Sequence, residues 1–119
     1  MKERAMALCV QGENCSRAIL RAASETYGFP LSEELLMSCN AISAGFGVGG
    51  ICSALVAAVM VLGILFPVEE AKQKSLILLC RAQGNWHCVD CCRLSARREN
   101  CNDLIGEIAE MLEEIIREE

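Results

Sequence analysis

Between Leu35 and Pro67 the chain carries no charged residue: the stretch reads LLMSCNAISAGFGVGGICSALVAAVMVLGILFP. In a chain of 119 residues, so long an apolar run has to be either the core or a membrane span. Its internal punctuation favours the core. Gly45, Gly47, Gly49 and Gly50 divide it into the end of one helix, a turn and a short apolar helix over Ile51 to Phe66. No Lys or Arg cluster flanks the run, and no Trp or Tyr marks an interface at its ends. Amphipathic segments before and after it can cover it. A membrane-associated subunit of a transporter or redox complex is the alternative.

The segments on either side read as helices. Leu8, Cys15, Ala18, Ile19 and Ala22 share one face of a first helix from Lys2 to about Tyr27, ended by Gly28-Phe29-Pro30. Ser32 followed by Glu33 and Glu34 starts a second, running to about Ser43. The third begins near Gly50 and ends at Leu65 or Phe66. Pro67 suits the first position of a fourth, with Glu69 and Glu70 at its amino end and a stop near Arg81. A cysteine-rich connector, Asn85 to Ser95, leads to a last helix from about Ala96 to Arg117. The inward stripe of that helix is Cys101, Leu104, Ile105, Ile108, Met111, Leu112 and Ile115. Hydrophobic residues make up 53% of the chain but aromatics only 4%, so the core is built of aliphatic side chains. The expectation is an all-α single domain over residues 1–119, a bundle of about five helices with the third wrapped by the others.

The net charge is −5 and the pI near 4.9, with no basic stripe and too few rings for base stacking, which excludes a nucleic-acid partner. The terminal acids from Glu107 to Glu119 read as the solvated face of the last helix. Gly45, Gly47 and Gly50 fit G-x-G-x-x-G, but a dinucleotide site needs a strand before the glycines, and a capped helix stands there. A tight turn is the better reading.

The nine cysteines carry the chemistry. No secretory leader is visible at the start, so a cytoplasmic, reducing setting is expected, where thiols act as ligands or redox centres. Cys80, among Leu76, Ile77 and Leu79, reads as core, and Cys9 as a spare thiol of the first helix. Cys88-Val89-Asp90-Cys91 is a C-x-x-C with Cys92 adjacent; His87 reads as a neighbour rather than a ligand. Cys15 and Cys101 lie on inward stripes, Cys52 opens the buried helix and Cys88 lies in a connector. Four thiols on separate elements can converge at one end of a bundle, to hold an iron–sulfur cluster or zinc or to exchange disulfides.

The order of GENC around Cys15, the glycine-rich approach to CSALVA from Cys52, CVD from Cys88 and RRENC to Cys101 resembles a known family. It is the small prokaryotic family of redox-active proteins named for its C…GCAxxG…C…C pattern, and the likeness runs in order along nearly the whole chain, including MVLG from Met60. The resemblance puts the family's four cysteines on Cys15, Cys52, Cys88 and Cys101 and implies redox chemistry without naming a substrate. The pattern's glycines are not kept around Cys52, where Ile51 precedes the thiol and Ser53, Ala54 and Ala57 supply small side chains. Cys39, Cys91 and Cys92 are additions. The expected function is thus electron transfer at clustered cysteines, Cys15, Cys52, Cys88 and Cys101, with Cys91 and Cys39 as auxiliaries. An iron–sulfur or other metal–thiolate centre is preferred to disulfide cycling, since buried thiols exchange slowly. The partner expected is another redox protein, with a homodimer as a further expectation. A zinc-binding structural or interaction module without redox role is the competing class.

Overall fold

The computed structural model describes residues 1–42, 44–48, 50–90, 94 and 102–118. Among them are six α-helices: α1 (Lys2–Val10), α2 (Cys15–Tyr27), α3 (Glu33–Ser38), α4 (Ser53–Leu65), α5 (Val68–Trp86) and α6 (Asn102–Arg117), with a single 3-10 turn at Ala44–Gly47. The one β contact among the described residues is an isolated antiparallel bridge between Ile51 and Asp90. The all-α expectation holds. Cys91, Cys92 and Cys101 lie outside the described residues, as does the predicted start of the last helix at Ala96.

The charge-free stretch does supply the centre. On α4, Ala54, Leu55, Ala57, Ala58, Val61 and Leu62 are fully buried. Three of these are alanines, so a neighbouring backbone can come close, and α2 packs there through its own buried Ala18, Ile19, Leu20, Ala22 and Ala23. α5 and α6 complete the packing around α4. The helices around it leave one side of α4 partly open. Ile64 is exposed and Val59 and Met60 are half-buried, because no described helix lies across that side.

The predicted first helix is two. Gly12 has φ +105°, which a helix cannot continue through, and Asn14 starts α2 afresh as its N-cap, with Oδ1 accepting from the Arg17 amide at 2.9 Å. The apolar stripe stays nearly in phase across the break, which is why periodicity alone reads straight through it. α1 then runs antiparallel to α6. The terminal ammonium of Met1 meets Glu113 at 3.2 Å and Lys2 meets Glu110 at 2.9 Å. Farther along, Met6 packs so close to Gly106 that a Cβ there would lie 2.7 Å from the Met6 sulfur. The run of these contacts brings the end of α1 beside the opening of α6.

The second helix stops at Ser38 instead of Ser43. The fourth runs five residues past Arg81, through Gly84 and Asn85 to Trp86, and Pro67 is its cap rather than its first residue. Its tertiary contacts outweigh the modest helix penalty of one glycine. His87 ends it with φ +61°, its amide donating to Gln83 O at 2.8 Å. Cys80 is exposed on α5, as are Leu76 and Ile77, so its reading as core is corrected: that face of α5 turns away from α4 and α6. The face that turns inward carries Lys74, 6% exposed. Its Nζ donates to Ile115 O at 2.9 Å and Glu118 O at 2.6 Å and lies 4.8 Å from the centre of the Phe66 ring. A cation thereby satisfies the last carbonyls of α6, where the helix dipole is negative.

Replacing Lys74 by Ala is expected to destabilise the protein by about 1–3 kcal/mol, since buried carbonyls lose their donor. Cys80→Ser should stay within about 0.5 kcal/mol of the parent. Urea unfolding followed by circular dichroism measures both.

Candidate functional site

Cys52 is the N-cap of α4 and 5% exposed, and no side chain caps that helix. A buried helix start leaves amides that need acceptors. One is met from the far side of the chain: the Cys52 amide donates to Val89 O at 2.8 Å, beside the Ile51–Asp90 bridge. Cys88, the next residue back from Val89, is 4% exposed, and its Sγ donates to Trp86 O at 3.5 Å. Paired residues across an antiparallel bridge have Cα atoms about 4.5–5.5 Å apart. Cys52 faces Val89 across that contact, and Cys88 stands one residue along the chain from Val89. The main-chain contact therefore brings the segments that carry Cys52 and Cys88 together. Ile51, which stands just before the thiol, is the bridging residue itself; its backbone makes the contact.

Cys15 opens α2 between Asn14 and Ser16, half-buried and packed against the core. Both flanking side chains reach the segment after α3. Asn14 Nδ2 donates to Cys39 O at 3.1 Å, and Ser16 Oγ approaches the same oxygen at 3.4 Å and Ile42 O at 2.7 Å. Arg17 adds Nη1 to Asn40 Oδ1 at 3.1 Å. Cys39 is fully buried at the C-cap of α3, with Sγ donating to Leu35 O at 3.5 Å. The side chains on either side of Cys15 thus hold the Cys39 carbonyl.

The two pairs share one end of the bundle. Three residues after Ile42, the Gly45 amide donates to Ser53 Oγ at 3.3 Å. Three residues of chain reach roughly 10 Å at most, so the Ser16 clamp beside Cys15 and the Ser53 contact beside Cys52 are neighbours. The glycines between them form a closed turn: the Gly50 amide donates to Gly45 O at 3.0 Å, and a Cβ on Gly50 would sit 3.3 Å from that oxygen. α3 precedes this turn and no strand does, so it is no dinucleotide loop.

His87 is the left-handed cap of α5, and Cys9, half-buried, sits near the end of α1. Cys101 and Cys91, expected at the site, lie outside the described residues; Asn102, which follows Cys101, opens α6 beside the end of α1. Among the described residues no three His, Cys, Asp or Glu side chains converge closely enough to hold a metal ion. A metal centre here has to draw ligands from beyond them. Asn14 and Ser16 are the site residues that periodicity misses. The signal for Asn14 is an Asn just before an apolar-periodic run, an N-cap pattern.

Residues 13–115 match the family described as "Putative redox-active protein (C_GCAxxG_C_C)". The chain belongs to this family. The match spans all four cysteines of the resemblance drawn from the sequence, and the family's description is redox activity. Comparisons with curated proteins and with solved structures give no match. No described helix is long and apolar enough to cross a membrane.

Asn14→Ala removes both the α2 cap and the bond to Cys39 O. The expected cost is about 0.5–2 kcal/mol. Labelling of the Cys39 thiol in the native state should also become faster, as read by mass spectrometry after timed alkylation. A stability loss with unchanged Cys39 labelling would show that the clamp does not govern access to that thiol.

Proposed function

We propose that this redox-active protein transfers electrons by thiol–disulfide exchange, with Cys52 and Cys88 as its principal pair. The observation that carries the reading is the Cys52 amide bonded to Val89 O at 2.8 Å beside the Ile51–Asp90 bridge, which holds two buried thiol-bearing residues together. Oxidation joins the two sulfurs and releases two protons and two electrons to a disulfide-bearing acceptor. Reduction by a dithiol partner reverses it. Cys15, at the helix start on the same end, stands where an exchange thiol is favoured as thiolate. The partner is another redox protein, and a cytoplasmic setting suits a chain kept as thiols.

A second reading is a metal–thiolate centre, iron–sulfur or zinc. The gathering of the Cys15, Cys52 and Cys88 segments at one end favours it, next to the opening of α6. Its remaining ligands would come from Cys101 or Cys91.

Protein purified without oxygen distinguishes the two by its bound metal, visible spectrum and thiol count. For thiol exchange, titration in glutathione buffers should follow a two-electron curve, about 30 mV per tenfold change in ratio. Cys52→Ser and Cys88→Ser should each abolish that transition. Visible absorption that bleaches on reduction, with stoichiometric iron, would replace this reading by a cluster. Stoichiometric zinc in a colourless, redox-silent protein would replace it by a structural site.

A further inference from the structure

Cys39 is a buried nucleophile that the Cys52–Cys88 pair does not use. It is fully buried, yet α3, the helix it ends, has no buried residue of its own. So Cys39 and the polar clamp are what fasten this short helix to the bundle. The clamp is specific: the residues on both sides of Cys15 direct hydrogen-bonding atoms to the carbonyl of Cys39, at 3.1 and 3.4 Å. Arg17, on the following turn, holds the next residue, Asn40. Four polar contacts, counting Ser16 Oγ to Ile42 O at 2.7 Å, keep these two backbones together. The Cys39 thiol itself makes one long contact, 3.5 Å to Leu35 O, which a side-chain rotation breaks at little cost.

We infer that Cys15 and Cys39 form a second thiol pair of this protein, in which half-buried Cys15 is attacked or attacks first and buried Cys39 resolves the product. This rests on the proposal that the chain works by thiol exchange. The Cys15 thiolate attacks one sulfur of a low-molecular-weight disulfide, breaks its S–S bond and expels one thiolate. The Cys39 thiol then loses its proton to solvent and attacks the Cys15 sulfur, expelling the second thiolate. Two protein thiols are oxidised, one disulfide is reduced, and two small thiols leave. The new bond ties the end of α3 to the start of α2, replacing a polar clamp by a covalent one.

The test uses the full chain, reduced without oxygen, equilibrated with oxidised glutathione, quenched with acid and alkylated. Cleavage after Glu13 and after Phe46 separates Cys9 from Cys15 and Cys39 from Cys52, and mass spectrometry then maps the linked peptides. The expected result is a Cys15–Cys39 link in the parent, persisting when Cys52 and Cys88 are both changed to Ser. Cys39→Ala should accumulate glutathione on Cys15 that the parent resolves, with an unchanged circular dichroism spectrum showing the fold intact. A Cys52–Cys88 link with Cys39 recovered as a thiol overturns the inference and leaves the proposed function standing. A Cys15–Cys39 link without Cys52–Cys88 supports the inference and sinks that function's principal pair. Cys15 linked to any other cysteine, or no link at all, overturns it.

Discussion

The buried start of α4 is the constraint on which the rest depends. A helix that begins in the interior presents amides that water cannot reach, and each needs a partner. The Cys52 side chain makes no cap hydrogen bond to them. The carbonyl of Val89 meets the Cys52 amide, and the Ser53 hydroxyl accepts from Gly45. The connector after α5 is thereby required at the start of α4, and Ser53 holds the glycine turn at the same place. The connector carries Cys88. The meeting of the Cys52 and Cys88 segments is a by-product of satisfying the main chain, which makes it hard to lose through side-chain changes alone.

The same logic runs at α2, with side chains in place of main chain. Asn14 caps the helix through Oδ1 and spends Nδ2 on Cys39 O; Ser16, fully buried, satisfies Ile42 O. A buried polar group costs stability unless bonded, so these contacts are both a lock and a liability. They place Cys15 at a helix start and Cys39 at a helix end, joined across the loop. Meanwhile α1 and α6 run antiparallel, pinned at one end by Glu110 and Glu113 and narrowed by Gly106 at the other.

Much of this was legible in the residues. The apolar run without charge marks α4, Ser32 with two acids marks α3, and the stripe from Leu104 to Ile115 marks α6, because burial imposes periodicity. What escaped are features in which one residue overrides a pattern. Gly12 and Asn14 cut a continuous stripe, since a positive φ and a cap act locally while the stripe merely stays nearly in phase. Gly84 failed to end α5 because packing sustained it. Cys80 lies among apolar neighbours in sequence, yet Leu76 and Ile77 are exposed with it, and short-range composition does not reveal which side of a helix lacks a cover. The cysteine grouping could be named from the family pattern. The contacts that bring those segments together run through Val89 O and Cys39 O, backbone atoms that leave no mark in side-chain spacing.

Burial raises a final requirement. Cys39, Cys52 and Cys88 are each no more than 5% exposed, so exchange with any outside sulfur needs the protein to open. Opening is cheapest where few apolar contacts are lost. The aliphatic packing of α2, α4 and α6 rules those helices out. α3 buries none of its residues, and the turn after it holds Phe46 at φ +64° with the ring largely in solvent, a conformation that side chains other than glycine adopt at some cost. α3 and the described residues of the turn after it are therefore the least firmly held part of the fold, and they flank buried Cys39.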